Sequence, residues 1–174
     1  MIDLKRGHLT GFVVFAVVSV LSFAANAIEP AAALPTSRYI LPDIGFEMDA
    51  PEGFKLRQGM WYHEGLRASL SFAHAKGKDF KSVTGEFTAE GLWKAGHKLI
   101  DKSDVIVSGK QGLLVHISNG EGLIKQAGWF VVFPDDDGVC QVSVIFPANK
   151  PSEVHEELRK AVLSVKRTKP APAR

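Results

Sequence analysis

The second half of this sequence constrains its fold most. Four apolar runs occur there in quick succession, at residues 105–108, 113–118, 123–133 and 139–146. They are separated by Gly109-Lys110-Gln111-Gly112, by Asn119-Gly120-Glu121-Gly122 and by Pro134-Asp135-Asp136-Asp137-Gly138. Each turn carries glycine where a tight reversal calls for a positive φ. A parallel crossover needs a dozen or more residues, so neighbouring runs must pair as antiparallel strands. Residues 129–133 are apolar on both parities, which predicts a strand covered on both faces.

The first half is read by its periods. Ile44, Phe46 and Met48 alternate with Gly45, Glu47 and Asp49, the period of a strand with one wet face. Ala50-Pro51-Glu52-Gly53 is a turn, and Phe54 and Leu56 begin a second extended piece. Residues 58–63 and 67–75 read as a hairpin around Glu64-Gly65, with Ala68, Leu70 and Phe72 on one face. Near residue 84 the period changes. Phe87, Gly91, Leu92, Ala95, Gly96 and Leu99 fall on one helical stripe, with Thr84 or Thr88 as N-cap. Glycine in a helix interior costs about 1 kcal/mol relative to alanine, so packing must sustain this helix. Ser152 opens the last helix. Its early Glu153, Glu156 and Glu157 and later Arg159 and Lys160 suit the helix dipole. Val154, Leu158, Ala161, Val162 and Val165 form its buried stripe. This order of elements predicts an α+β domain, an antiparallel β-sheet flanked by helices.

The N-terminus carries an address. Lys5, Arg6 and His8 precede an apolar run at residues 9–23, and Ala25-Asn26-Ala27 places small residues where a signal peptidase reads them. Residues 1–27 are therefore expected to be a signal peptide, cleaved after Ala27, with the mature chain periplasmic or secreted. A spanning helix needs about 20 apolar residues, so no stable membrane span is expected after cleavage. No cysteine follows the run to carry a lipid. Residues 28–42, with Pro30, Pro35 and Pro42, read as a Pro/Ala-rich linker, and residues 166–174 as a basic, Pro-rich tail. One domain is left, at 43–165.

Chemistry is sparse. The chain has 21 basic and 19 acidic residues, too even a balance to imply nucleic acid as a partner. A single cysteine excludes a disulfide framework and any multi-cysteine metal site. His63, His74, His97, His116 and His155 are scattered, whereas zinc wants clustered ligands, so no metal site is expected. The run Asp135-Asp136-Asp137-Gly138 lacks the glycine and glutamate positions of an EF-hand loop and reads as a solvated hairpin tip. No nucleophile elbow, phosphate loop or dinucleotide fingerprint is present. Cys140 shares parity with Val142, Val144 and Phe146, a core face on which cysteine acts as a small hydrophobe. No catalytic residue and no cofactor are expected. The one aromatic-polar cluster that could line a binding surface is Trp61, Tyr62 and His63. Such Trp-Tyr pairs are more often half-buried packing at a sheet edge.

The globular part resembles the PsbP-like superfamily, in particular the DcrB-like bacterial secreted proteins. The likeness rests on an opening strand that ends in Ala50-Pro51-Glu52-Gly53-Phe54, a mid-chain helix and the strand-turn-strand through Gly109. It continues with Trp129-Phe130-Val131-Val132-Phe133, residues 142–146, Pro147 and a closing helix. The resemblance implies an α/β/α sandwich around an antiparallel sheet. It also implies a non-enzymatic accessory role, binding another envelope protein. No functional residue carries over, because no motif here matches a defined site. The alternative is a periplasmic module for a small ligand or metal, using Trp61 and His63. The sequence sets no oligomeric state.

Overall fold

The computed structural model of the chain describes residues 34–41, 45–120 and 125–168. The expected signal peptide lies outside them, as do residues 28–33 and 42–44 and the end of the tail from 169.

Two antiparallel sheets share one core. The larger has seven strands: β3 (Phe54–Arg57), β4 (Met60–His63), β5 (Ala68–Lys76), β9 (Gly138–Pro147), β8 (Gln126–Asp135), β7 (Lys110–Asn119) and β6 (Lys98–Val107), in that spatial order. The smaller has β1 (Thr36–Leu41), β2 (Phe46–Pro51) and β10 (Lys166–Arg167), with β2 in the centre. Strands β6 to β9 form the expected meander, and the turn expected at Asn119-Gly120-Glu121-Gly122 lies partly outside the described residues. β9 then returns to pair with β5, which ends at Lys76, before the meander begins at Lys98.

Both faces of the large sheet are covered, as the apolar run in β8 requires. On one face lie the small sheet and α3 (Ser152–Leu163), enclosing Phe46, Met48, Leu114, Val131, Phe133, Cys140, Val142 and Leu158 among others. Ser164, just past α3, donates to Asp49 O at 2.9 Å and accepts from Asp49 N at 2.8 Å, which ties the helix to β2. The opposite face carries α1 (Phe80–Gly85) and α2 (Ala89–Lys94) over Val115, Ile117, Phe130 and Val132.

The structure corrects four expectations. The mid-chain stripe is two short helices, not one. Asp79 caps α1 by accepting from Ser82 N, and Thr88 caps α2 by accepting from Gly91 N. Gly96, at φ +81°, then turns the chain out of α2, so Leu99 belongs to β6. That strand begins earlier than its apolar residues suggest, because it is an outer strand and tolerates Asp101, Lys102 and Asp104. The segment expected as a linker contains β1, which pairs with β2 from Thr36↔Pro51 to Leu41↔Phe46. The expected tail likewise begins with β10, which adds Lys166 and Arg167 to the other side of β2.

Candidate functional site

The sequence-derived cluster sits on β4, next to the outermost strand. Trp61 and His63 face the α3 side, and Tyr62, one residue from each, faces away, as strand alternation dictates. Trp61 is half-buried, with its ring edge-on to Tyr39 at 5.0 Å between centroids. The Tyr39 hydroxyl donates to Pro51 O at 3.0 Å and accepts from Phe54 N at 3.1 Å, so it holds the turn that leads into β3. His63 packs edge-on against Phe54 at 5.3 Å, and its Nδ1 accepts from Leu66 N at 3.1 Å. Burial pushes its pKa below the ordinary imidazole value, and hydrogen bonds to backbone groups only partly offset this. Tyr62, on the other face, lies under the Arg57 guanidinium at 5.7 Å. The cluster therefore does not converge on one point. It is a packed edge, and what it offers a partner is its rim, where Leu56, paired with Trp61, is 61% exposed. Tyr39, which organises this edge, was hidden in sequence because it lies in the Pro/Ala-rich segment.

A second cluster does converge, at the end of the large sheet where β5, β8 and β9 meet. His74 pairs with Cys140, and Cys140 pairs with Phe133. Asp135 lies two residues beyond Phe133 on the same face. His74, Asp135 and Cys140 each bring one ligand-type atom to within 4.8 Å of the others. Asp137 Oδ1 lies 3.1 Å from His74 Nε2. Two close contacts set this geometry. Gly77 N donates to Asp137 O at 2.7 Å, which clips the β8–β9 turn to the end of β5. Gly138 permits that approach, since a Cβ there would collide with the Ala75 carbonyl oxygen.

Cations hold one side of this cluster. Arg167 on β10 donates Nε to Asp135 Oδ1 at 2.9 Å, with a second contact from its Nη2, and Lys110 Nζ stands 4.0 Å from the same oxygen. The Asp135 side chain is only 6% exposed. Burial favours its neutral form, yet the hydrogen bonds from Arg167 and from Asp136 N, with the nearby positive charges, hold its pKa below the usual carboxylate value. The Cys140 thiol is 0% exposed. Burial first, then the Asp135 charge, push its pKa up to about 12, so at neutral pH it is a protonated thiol and not a nucleophile.

A third locus joins His116 and Trp129, whose rings stack at 4.0 Å, with Arg159 of α3 over the indole at 5.9 Å. It seats α3 on the sheet. The thiol of Cys140 lies within 4.8 Å of the His74 imidazole, but buried and protonated it is not poised as a nucleophile.

No protein-family model and no curated protein matches this sequence. Solved structures do. The solution structure of cyanobacterial PsbP (CyanoP) from Synechocystis sp. PCC 6803 matches with a TM-score of 0.57 at 13% identity, covering 82% of this chain and 98% of that one. A crystal structure from Bacteroides thetaiotaomicron matches with a TM-score of 0.48 at 13% identity, over 76% of this chain and 48% of that one. PA94 of Pseudomonas aeruginosa, a protein of unknown function, gives 0.41 at 15% identity, over 70% and 87%. The first of these, together with the antiparallel sheet covered by helices, gives this chain the PsbP-like fold.

Proposed function

We propose that this chain is a non-enzymatic accessory protein of the cell envelope that binds another protein through the β3–β4 edge. The observation that carries the reading is the exposed Leu56 beside Trp61 on the rim of the large sheet, where an apolar side chain borders a half-buried aromatic. Aromatic and apolar anchors of this kind are what protein partners use. The burial and raised pKa of Cys140, the thiol nearest a histidine, and the PsbP-like fold agree with it. Fold alone is analogy, since one architecture hosts many functions. The narrower likeness to DcrB-like secreted proteins belongs to the same proposal, and so does the address, a periplasmic or secreted chain cleaved after Ala27. Among the described residues no helix is long and apolar enough to cross a membrane. A small-ligand pocket built on Trp61 and His63 has less support, because Tyr39, Phe54 and Leu66 already occupy both side chains.

The test is site-directed photocrosslinking in cells from position 56, with position 90 on α2 as the control. A discrete protein adduct from position 56, absent from position 90 and abolished by Trp61→Ala, is the expected result. No adduct, or the same adducts from both positions, would sink the reading. The mass of the chain recovered from the envelope tests cleavage, which should leave Ile28 as the first residue.

A further inference from the structure

The cluster of His74, Asp135, Cys140 and Asp137 has no part in the docking edge, yet its donor set is specific. It brings one imidazole nitrogen, one sulfur and two carboxylates to the same end of one sheet face. We propose that these four side chains bind a borderline divalent transition-metal ion of the zinc class.

The geometry is close to what such an ion needs. Tetrahedral zinc with nitrogen, oxygen and sulfur ligands sets its donor atoms roughly 3.3–3.7 Å apart. Here His74 Nε2 is 3.1 Å from Asp137 Oδ1 and 3.8 Å from Asp135 Oδ2, and the atoms offered by His74, Asp135 and Cys140 all fall within 4.8 Å of one another.

The two oxygens of Asp135 are divided between two tasks. Arg167 and Lys110 engage Oδ1, and Oδ2 is the oxygen turned toward His74. Cations that hold one carboxylate oxygen and so orient the other toward a metal act as an outer shell. Arg167 is itself fixed, with its backbone N bonded to Ser108 Oγ at 3.2 Å and its guanidinium 5.4 Å over the Phe46 ring.

Cys140 supplies an independent observation. It is fully buried on the same face, its thiol has no hydrogen-bond partner among the described residues, and its sulfur lies beside the His74–Asp135 pair. A structural cysteine on a core face usually sits among apolar groups alone. On binding, the thiol proton leaves to solvent as the sulfur–metal bond forms, and His74 coordinates as the neutral imidazole. Three anionic ligands then face a dication, with Lys110 and Arg167 beside the excess negative charge. The mixed nitrogen and sulfur donors argue against calcium and magnesium, which take oxygen alone.

The experiment strips the purified chain with a chelator, adds Zn2+ alone, desalts, and measures retained metal by elemental analysis and native mass. One zinc per chain is expected. Cys140→Ser and His74→Gln should each lower affinity at least about tenfold, while Asp136→Asn, outside the donor set, should leave it near the parent value. Circular dichroism of each variant separates lost binding from lost folding, and His74, at the open end of its strand, can change without cost to the core. Substituting Co2+ should give a sulfur-to-metal charge-transfer band that vanishes in Cys140→Ser. Failure to retain zinc would overturn the proposal. So would retention unchanged in both ligand variants, or thermal stabilisation by Ca2+ equal to that by Zn2+, which would reduce the cluster to an acidic turn.

Discussion

Trp61, Tyr62 and His63 are consecutive in sequence and do not meet, whereas His74, Asp135 and Cys140 come from three different strands and do. The contrast follows from strand geometry. Consecutive residues of a strand point to opposite faces, so a run of three interesting side chains is divided at once between two environments. Residues paired across strands share a face at close range. Pairing of β5 with β9 and of β9 with β8 therefore brings together what the sequence separates. A motif search along a β-rich chain finds the first kind of cluster and misses the second.

The comparison can be broken most forcefully from beneath. Phe133 lies opposite Cys140 and against Phe46, at 5.7 Å between rings, and is fully buried. Phe133→Ala should cost about 3–5 kcal/mol by urea denaturation and should disorder the hairpin end that presents Asp135. Trp61→Ala, at the half-buried edge, should cost about 1–2 kcal/mol. Equal losses would mean that the edge is as much core as the meander is.

Tyr39→Phe tests how the edge is organised. It removes the hydroxyl that joins Pro51 O to Phe54 N. The expected loss is about 1–2 kcal/mol, with amide exchange at Phe54 accelerated and that at Cys140 unchanged. An unchanged Phe54 amide would show that β1 is not what holds the turn.

His97 is a third kind of histidine, outside both clusters. It is 3% exposed, both ring nitrogens lack partners, and it packs near Phe130 under α2. Burial lowers its pKa from 6.5. The unfolded chain therefore takes up this proton more readily than the folded one. The stabilisation is complete above the ordinary imidazole value and is lost as pH falls through the lower folded value. His97→Leu should raise stability by about 1 kcal/mol at neutral pH and flatten the acid limb of the stability curve below the ordinary imidazole value. An acid limb of unchanged slope would assign that sensitivity to other groups, among them His63, His116 and His155. The smallest effect belongs to the exposed Lys94–Glu90 pair on α2. Glu90→Gln should leave the urea midpoint unmoved within error, as is usual for surface pairs.

Much of the fold was legible. The β6–β9 meander could be read because its turns are short and carry the right residues, and the face of Cys140 followed from parity with Val142 and Phe146. The elements that escaped share a physical cause. β1 and β6 are outer strands, so one edge of each has no partner within its sheet and no full apolar run is needed. Pro35 and Pro42 bracket β1, and Asp101, Lys102 and Asp104 interrupt β6. The single helical stripe became two helices because Thr88 serves better as a new N-cap than as an interior residue. Of the candidate residues, Trp61, Tyr62 and His63 were visible as a run, but their opposed faces and the role of Tyr39 were not. The convergence on Asp135 carried only a weak trace, the acidic turn itself.

Short-range rules control three features of the fold. These are the antiparallel meander, the polarity of α3, and a core face that runs through Cys140. Tertiary structure alone decided that β9 returns to β5. That pairing is set by packing of Phe46, Phe72 and Phe133 between the two sheets, not by a turn, because no short connection links the two strands. Its register is what places His74 beside Cys140. A side-chain cluster built by long-range register has no local signature, since nothing near any one of its residues in the chain specifies the others.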